Sequence, residues 1–242
     1  MPAVPLGVVL GFCSALLTAL ITEIYAHRCL AHRAFRVHPA LARLLDGYFR
    51  VIVWTSAETW AAVHRLHHRY ADTPSDPHSP RERPPLAVLL GSPYLFAVAR
   101  KQLPHDPPPP RWVWLGRASV PAAYAVVLGP EQMLLMAAAH VAGYFGIMGT
   151  VNAVGHLYGR KPHPDVPGYD IAWLAIPLLG HGYHNSHHAH PSAPRTGALD
   201  PIWPLLRLGA AVGLVELDAR RHRWASTPRT CCRAVTEVAP AR

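Results

Sequence analysis

The chain has 242 residues and a formal net charge of +9, and hydrophobic residues make up 50% of it while charged residues make up 15%. Soluble proteins usually carry about 25% charged residues, so this composition favours burial in lipid, although the mean hydropathy is only +0.11. Lys and Arg are missing from residues 1–27 and 118–159 and flank these apolar stretches. This distribution is typical of cytoplasmic loops in a membrane protein and argues against a nucleic-acid partner. The four cysteines show no CxxC spacing, which excludes a zinc finger.

The chain begins with an uncharged apolar segment, from which we predict a membrane span over residues 3–24. About 20 apolar residues in a helix cross a bilayer core of roughly 30 Å. A cleaved signal peptide would carry a basic region before its apolar stretch. This segment has none and continues directly into a histidine motif. We therefore interpret it as a membrane helix.

Two further spans are predicted over residues 112–129 and 132–154. Arg117 weakens the first of them, but a long Arg side chain can reach the membrane interface. The apolar segment 86–99 is shorter, so we expect an interfacial or buried helix there. Three crossings place the N-terminus outside and bring every histidine motif to the cytoplasmic face.

The predicted fold is all-α: a multi-pass membrane helical bundle with a cytoplasmic helical cap that carries a histidine-rich two-metal site. We assign residues 1–225 to this single domain and residues 226–242 to a flexible tail. The proline-rich segment 104–110 is predicted to be a stiff, extended linker.

Nine of the 17 histidines fall at spacings typical of metal ligands. They are His27 and His32 in HRCLAH, His64, His67 and His68 in HRLHH, His184, His187 and His188 in HNSHH, and His156, four residues after Asn152. Residues three and four apart share a helix face, whereas the five-residue spacing in HRCLAH requires the helix end to loosen. Neutral imidazole is the commonest metal ligand among side chains, and nine exceed the needs of one ion. We predict two metal ions, although imidazole suits iron, copper and zinc alike.

The remaining histidines fit ordinary roles better. We interpret His38, His105, His163 and His222 as surface or core residues. His140 lies in the middle of a predicted span, where an ionisable group is a candidate for function. A hydrogen bond to a neighbouring helix is the alternative role for it.

Five motifs in this order resemble the membrane fatty acyl desaturases, most closely the acyl-CoA Δ9 (stearoyl-CoA) type. The resemblance covers residues 22–220. The motifs are HRCLAH, WAAVHRLHH from Trp60 to His68, DTPSDPH from Asp72 to His78, NAVGHLYG from Asn152 to Gly159, and GHGYHNSHHAHP from Gly180 to Pro191.

The resemblance implies an oxygen-dependent enzyme that holds two iron ions and introduces a cis double bond into a saturated acyl chain. It assigns His27, His32, His64, His68 and His187 to one iron, and His67, His156, His184 and His188 to the other, with Asn152 acting through a water. It also implies a narrow acyl tunnel and an external electron donor, such as a ferredoxin or cytochrome b5 with its reductase. Asp72, Asp76, His181 and Asn185 are candidates to orient the imidazoles, while the alternative for the two aspartates is a solvated proline-rich turn.

Three features depart from the family pattern. The family usually has Glu at the position of His181. It commonly has four crossings with both termini inside, so one crossing is missing from the predicted topology. We also find no appended cytochrome b5 domain.

The four arginines beside the motifs, Arg28, Arg33, Arg65 and Arg69, suit either of two anions. They could bind the phosphates of a CoA or carrier-protein thioester, or anionic lipid.

Two rival functions of the protein also remain. One is a hydroxylase on the same di-iron scaffold, against which the HxxxxH gap and HNSHH favour desaturation. The other is a non-catalytic membrane protein that transports or buffers metal.

Overall fold

The computed structural model describes residues 4–104 and 108–217, which are mostly helical. The α-helices are α1 (Leu6–Ile21), α2 (Pro39–Tyr48), α3 (Ala57–Tyr70), α4 (Pro85–Arg100), α5 (Arg111–Leu128), α6 (Pro130–Val154), α7 (His184–Ala189) and α8 (Ile202–Ala211). A 3-10 helix spans Ala172–Ala175, and π-helical segments span Thr22–Ala31 and Phe49–Val53. The predicted all-α fold needs one small correction, an antiparallel pair of two-residue strands, β1 (Arg36–Val37) and β2 (Val215–Glu216). The predicted tail, His105 and His222 lie outside the described residues.

Helix α6 lies at the centre of the helical packing and contacts α1, α4 and α5. Gly7 and Gly11 of α1 face α6 so closely that a methyl group on Gly11 would overlap the Met136 carbonyl oxygen. In lipid, small residues at such an interface let two helix backbones approach. The His140 ring, in the middle of α6, lies 2.9 Å from the Ser14 hydroxyl through its Nδ1 atom. The His140 ring thus makes a hydrogen bond to a neighbouring helix, which is the second of the two roles considered for it above.

Within the described residues, two helical stretches are long and apolar enough to cross a membrane, Leu6–Ala31 and Pro130–Val154. They coincide with the predicted spans 3–24 and 132–154. Helix α5 forms where the third span is predicted, but its two arginines keep its mean hydropathy below that of the other two. The third crossing and the orientation therefore stay predictions.

Helix α4 has one apolar face exposed and the other packed on the protein. Leu86, Leu90, Tyr94 and Val98 are exposed, whereas Val88, Ser92 and Ala99 are buried. A helix with both faces apolar is expected where one side meets protein and the other meets lipid. The structure thus shows a helix over residues 86–99 that is half packed on the protein, and its predicted interfacial or buried position stays a prediction.

Helix α1 continues without a break into the π-helical segment Thr22–Ala31. In a π-helix each backbone N–H bonds to the carbonyl five residues earlier, so residues five apart stack on one face. The His32 N–H donates to the His27 carbonyl at 3.1 Å. This winding supplies the loosening that the HxxxxH spacing requires.

Helix α3, which carries three of the histidines, is fixed by a local cap and by its packing against the π-helical segment. Ser56 caps α3, since its hydroxyl accepts a hydrogen bond from the Thr59 N–H at 3.0 Å. Helix α3 then packs against the π-helical segment. A buried cluster that includes Tyr25, Phe35 and Ile202 joins this segment to α8. Distant parts of the chain are thereby held around one volume.

Candidate metal centre

The nine histidines singled out from the sequence converge into two groups whose ligand nitrogens lie within 4.8 Å of one another. The five-histidine group consists of His27, His32, His64, His68 and His187, and the four-histidine group consists of His67, His156, His184 and His188. Each group draws on at least three separate segments of the chain. This is the same division that the family resemblance implies.

In the five-histidine group, the Nε2 atoms point towards one another. Nε2 of His187 lies 3.1 Å from Nε2 of His27 and 3.1 Å from Nε2 of His68. The Nε2 atoms of His32 and His64 are 2.9 Å apart. Three segments, the π-helical segment, α3 and α7, thus direct their nitrogens to a shared point.

The four-histidine group is built in the same way and lies directly beside the first. Nε2 of His184 lies 2.7 Å from Nε2 of His156 and 3.2 Å from Nε2 of His188. Nε2 of His67 lies 3.3 Å from that of His188. Sequence neighbours in α3 and in α7 belong to different groups, so the two centres are adjacent.

These separations suit nitrogen atoms that share a metal ion. With metal–nitrogen bonds of about 2.1 Å, two ligands at right angles are about 3.0 Å apart. The observed separations, from 2.7 to 3.3 Å, lie around this value. A neutral imidazole offers one N–H and one acceptor nitrogen, so Nε2 atoms gathered in this number cannot all be satisfied by each other. A bound cation satisfies them together.

The protonation state of the rings also suits metal binding. Burial, reinforced by repulsion between neighbouring imidazolium rings, holds the pKa of His64, His67, His184, His187 and His188 well below the usual value. The same causes lower the pKa of His68 to about 3. These rings are therefore neutral at pH 7, as metal ligands must be.

Two aspartates contact the Nδ1 atoms of the four-histidine group. Both carboxylate oxygens of Asp76 lie within 3.1 Å of Nδ1 of His67, and Oδ1 of Asp72 lies 3.0 Å from Nδ1 of His156. Burial raises the pKa of Asp76 to about 6. Burial acts in the same direction on Asp72, but His156 and Arg81 outweigh it and lower the pKa of that carboxyl. The Asp76 carboxylate, hydrogen-bonded to Nδ1 of His67, fixes the tautomer that leaves Nε2 of this ring free to bind a metal.

An apolar cavity ends at these histidines. The cavity is partly open to the surroundings. Its walls are mainly apolar and include Val53, Trp60, Val63, Phe96, Tyr144, Phe145, Met148 and Val151, while His64, His78, Asn152, His181 and His184 lie at its polar end. An apolar molecule in this cavity would therefore meet both histidine groups.

Residues 1–211 match the family model for fatty acid desaturases. The chain belongs to the fatty acid desaturase family. It is 26% identical to the "Delta-9 acyl-lipid desaturase 2" of Arabidopsis thaliana, over 82% of this chain and 72% of the relative. It is 29% identical to the "Acyl-CoA C20 Delta5-desaturase" of Anemone leveillei, over 84% and 71%. It is also 26% identical to a Delta(9)-fatty-acid desaturase of Caenorhabditis elegans, over 78% and 65%.

The structure corrects the interpretation of Arg28. Its side chain is 1% exposed. It pairs with Glu23 at 2.6 Å and with Asp200 at 2.7 Å. A guanidinium committed to two buried carboxylates is not available to phosphate or lipid. Arg28 follows His27 directly in the sequence. This adjacency places a positive charge near the site, but it does not show which way the Arg28 side chain points.

Asn185 also differs from its predicted role of orienting an imidazole. Its amide donates to the backbone carbonyls of His163, Val166 and Pro167 and accepts a hydrogen bond from the His163 N–H. Asn185 thus fixes the loop that precedes α7. The other candidates, Asn152 and His181, line the cavity beside the histidines.

Sequence reasoning missed three residues at this site: Glu23 and Asp200, which are buried, and His78, which is half-buried. Glu23 could have been noticed, because it is an acid at the end of an otherwise uncharged span and lies four residues before His27. His78, whose ring stacks on that of His67 with centroids 4.4 Å apart, lies inside the DPH motif. Asp200 gives no local signal. Of the histidines predicted to be ordinary, His38 caps α2 by accepting from the Ala40 N–H.

Proposed function

We propose that this protein is an oxygen-dependent di-iron desaturase that introduces a cis double bond into a saturated fatty acyl chain. One observation carries the proposal: the apolar cavity ends at two adjacent groups of neutral, convergent imidazoles. The site lies on the cytoplasmic face of a multi-pass bundle. Two electrons per turnover come from an external donor, such as a ferredoxin or cytochrome b5 with its reductase.

The nine histidines hold the two ions, and Asn152 acts on the four-histidine side through a water. Iron suits this donor set better than zinc, because structural zinc is almost always four-coordinate, whereas one group here has five imidazoles. When bound, the iron pair supplies activation of O₂ and removal of two hydrogen atoms, which no acid or base can do on unactivated C–H bonds.

The side chains of the cavity position the acyl chain. The apolar wall of the cavity includes Phe145, Met148 and Val151. The Trp60 ring, also in this wall, stacks on the His64 ring with centroids 5.3 Å apart. These walls exclude water and hold one pair of methylenes against the metal centre. Holding reactants in this way lowers the entropic part of the barrier and selects where the double bond forms.

A basic patch at a neighbouring cavity suits a phosphate-bearing acyl carrier. This second cavity shares Val53, Thr55 and Phe96 with the first and is also lined by Arg100 and Lys101. Nearby, the Arg117 guanidinium donates to the Arg50 carbonyl at 2.9 Å and lies over the Trp54 and Trp114 rings. We propose that the acyl group arrives as a CoA thioester or a related phosphate-bearing carrier, with its phosphates on this patch.

Replacing Arg100 with glutamine is expected to raise KM for a long-chain acyl-CoA about tenfold, with little change in kcat, because one charge-assisted phosphate contact of about 1.5 kcal/mol is lost. Steady-state kinetics of the protein in vesicles would measure this. Arg160→Gln, an exposed arginine elsewhere, is the matched control for the change in charge. An unchanged KM together with weaker membrane retention would assign the patch to anionic lipid instead.

The reaction itself is tested by expressing the protein in a host that lacks the corresponding desaturase and analysing its acyl chains by mass spectrometry. A loss of two mass units is expected, and the His156→Ala variant serves as the inactive control. A gain of sixteen mass units would identify a hydroxylase. Bound zinc, without oxygen consumption in the presence of substrate and reductant, would identify a metal-binding protein without this catalysis.

A further inference from the structure

Glu23 lies where the π-helical segment begins and is fully buried. Its Oε2 atom lies 2.6 Å from Nδ1 of His27, a member of the five-histidine group. The same oxygen lies 2.6 Å from Nε2 of His181, a close contact without the alignment of a hydrogen bond. One carboxylate oxygen therefore contacts two rings that are 154 residues apart in the sequence.

The other oxygen of Glu23 is held by a buried ion pair. Its Oε1 atom accepts from Nε of Arg28 at 2.6 Å, and Arg28 pairs with both oxygens of Asp200, at 2.7 and 3.1 Å. Gly180, next to His181, has φ +98 and lies so close that a methyl group there would overlap the Arg28 guanidinium. This contact fixes the third histidine motif against the Arg28–Asp200 pair. It also keeps the Glu23 side chain in place.

Within the described residues, the carboxylates on the two groups come from different segments. Asp72 and Asp76 contact the four-histidine group, and Glu23 contacts the five-histidine group. His181 stands where the family usually has Glu. In this chain the carboxylate comes instead from Glu23, four residues before the first motif, and His181 faces it.

We propose that Glu23 is the positioning residue of the five-histidine group and that it forms an exchanged pair with His181, which stands in the place of the family's glutamate. This inference rests on the proposed di-iron function. By accepting a hydrogen bond from Nδ1–H, Glu23 fixes the His27 tautomer that leaves the Nε2 lone pair facing its neighbours. Its negative charge also makes that nitrogen a stronger ligand.

The test is a cycle of three variants: Glu23→Gln, His181→Glu and the double variant Glu23→Gln/His181→Glu. Metal affinity is measured by titrating the metal-free protein with Fe²⁺ under anaerobic conditions against a competing chelator, and folding is followed by thermal unfolding of the metal-free protein. Glu131→Gln, an exposed acid in the first turn of α6, is the matched control. Arg28 keeps Asp200 as its partner in every variant.

Glu23→Gln is expected to weaken one of the two binding events about 10- to 100-fold and to leave the other unchanged. His181→Glu alone places two carboxylates in contact, so the metal-free protein should melt at a lower temperature. In the double variant, residue 181 supplies the single carboxylate next to His27 in place of residue 23. This variant should recover most of the lost metal affinity. A residue that only supported the fold would change the melting temperature without acting on one site selectively.

Two results would overturn the inference while leaving the proposed function intact. One is a Glu23→Gln protein that binds both ions as tightly as the unmodified protein. The other is a folded double variant whose affected site still binds Fe²⁺ about 10- to 100-fold more weakly than that of the unmodified protein, a result that can be read even if Glu23→Gln alone does not fold. Unmodified protein that binds no pair of ions would instead overturn the proposed function and, with it, this inference.

Discussion

Replacing His187 with alanine is expected to abolish double-bond formation and to leave one bound metal ion instead of two. The Nε2 atom of His187 lies 3.1 Å from those of both His27 and His68. It therefore connects the ligands of the π-helical segment with those of α3. The side chain is buried, so water cannot easily take the place of the missing nitrogen. Since the proposed chemistry needs both ions, the loss of one removes the activity.

Metal content per chain and acyl-chain analysis in the same preparation would measure both effects. His190→Ala is the control, because His190 is exposed, lies three residues further along and belongs to neither histidine group. This control should keep two ions and full activity. A His187→Ala protein that still makes unsaturated chains would contradict the proposed role of the five-histidine group.

Replacing Gly11 with alanine is expected to destabilise the protein, although alanine favours helix over glycine by about 1 kcal/mol. A methyl group at this position would overlap the Met136 carbonyl oxygen and lie 2.7 Å from Cβ of Ala139. A backbone carbonyl in a helix cannot move aside, so α1 and α6 must separate. Overpacking of this kind costs about 1–3 kcal/mol.

Gly146→Ala is the matched control for this experiment. Gly146 also lies in a membrane-spanning candidate helix, but a methyl group there would meet no atom within 4 Å. Thermal unfolding in detergent should show a lower melting temperature for Gly11→Ala and an unchanged or higher one for Gly146→Ala. Equal melting temperatures for the two variants would show that close contact between α1 and α6 does not support the fold.

The nine histidines could be predicted from the sequence because their spacings are local. Two rings three or four residues apart share a helix face whatever the rest of the fold does, and five motifs in order indicate the family. The GxxxG spacing of Gly7 and Gly11 is a local signal of the same kind, which sequence reasoning missed although it marks the contact between α1 and α6.

The buried charges could not be predicted in the same way. Arg28 lies beside a ligand and looked available for phosphate, but Asp200, which holds it, is 172 residues away. Asn185 lies inside a histidine motif, yet it fixes the backbone of a distant loop. The partners of these two side chains are distant in the sequence, so they depend on how the whole chain folds. The third membrane crossing also stays a prediction, because hydropathy alone does not decide the position of α5.

The first apolar helix and the π-helical segment, which carries His27 and is capped by His32, form one continuous rod. A helix that is too long or too short for its bilayer responds by tilting or by deforming the lipid. In this protein such a tilt would move two ligand rings with it. The depth and angle of the first helix are thus mechanically linked to the metal centre, so the thickness of the host membrane becomes one of the conditions that set how well the site is assembled.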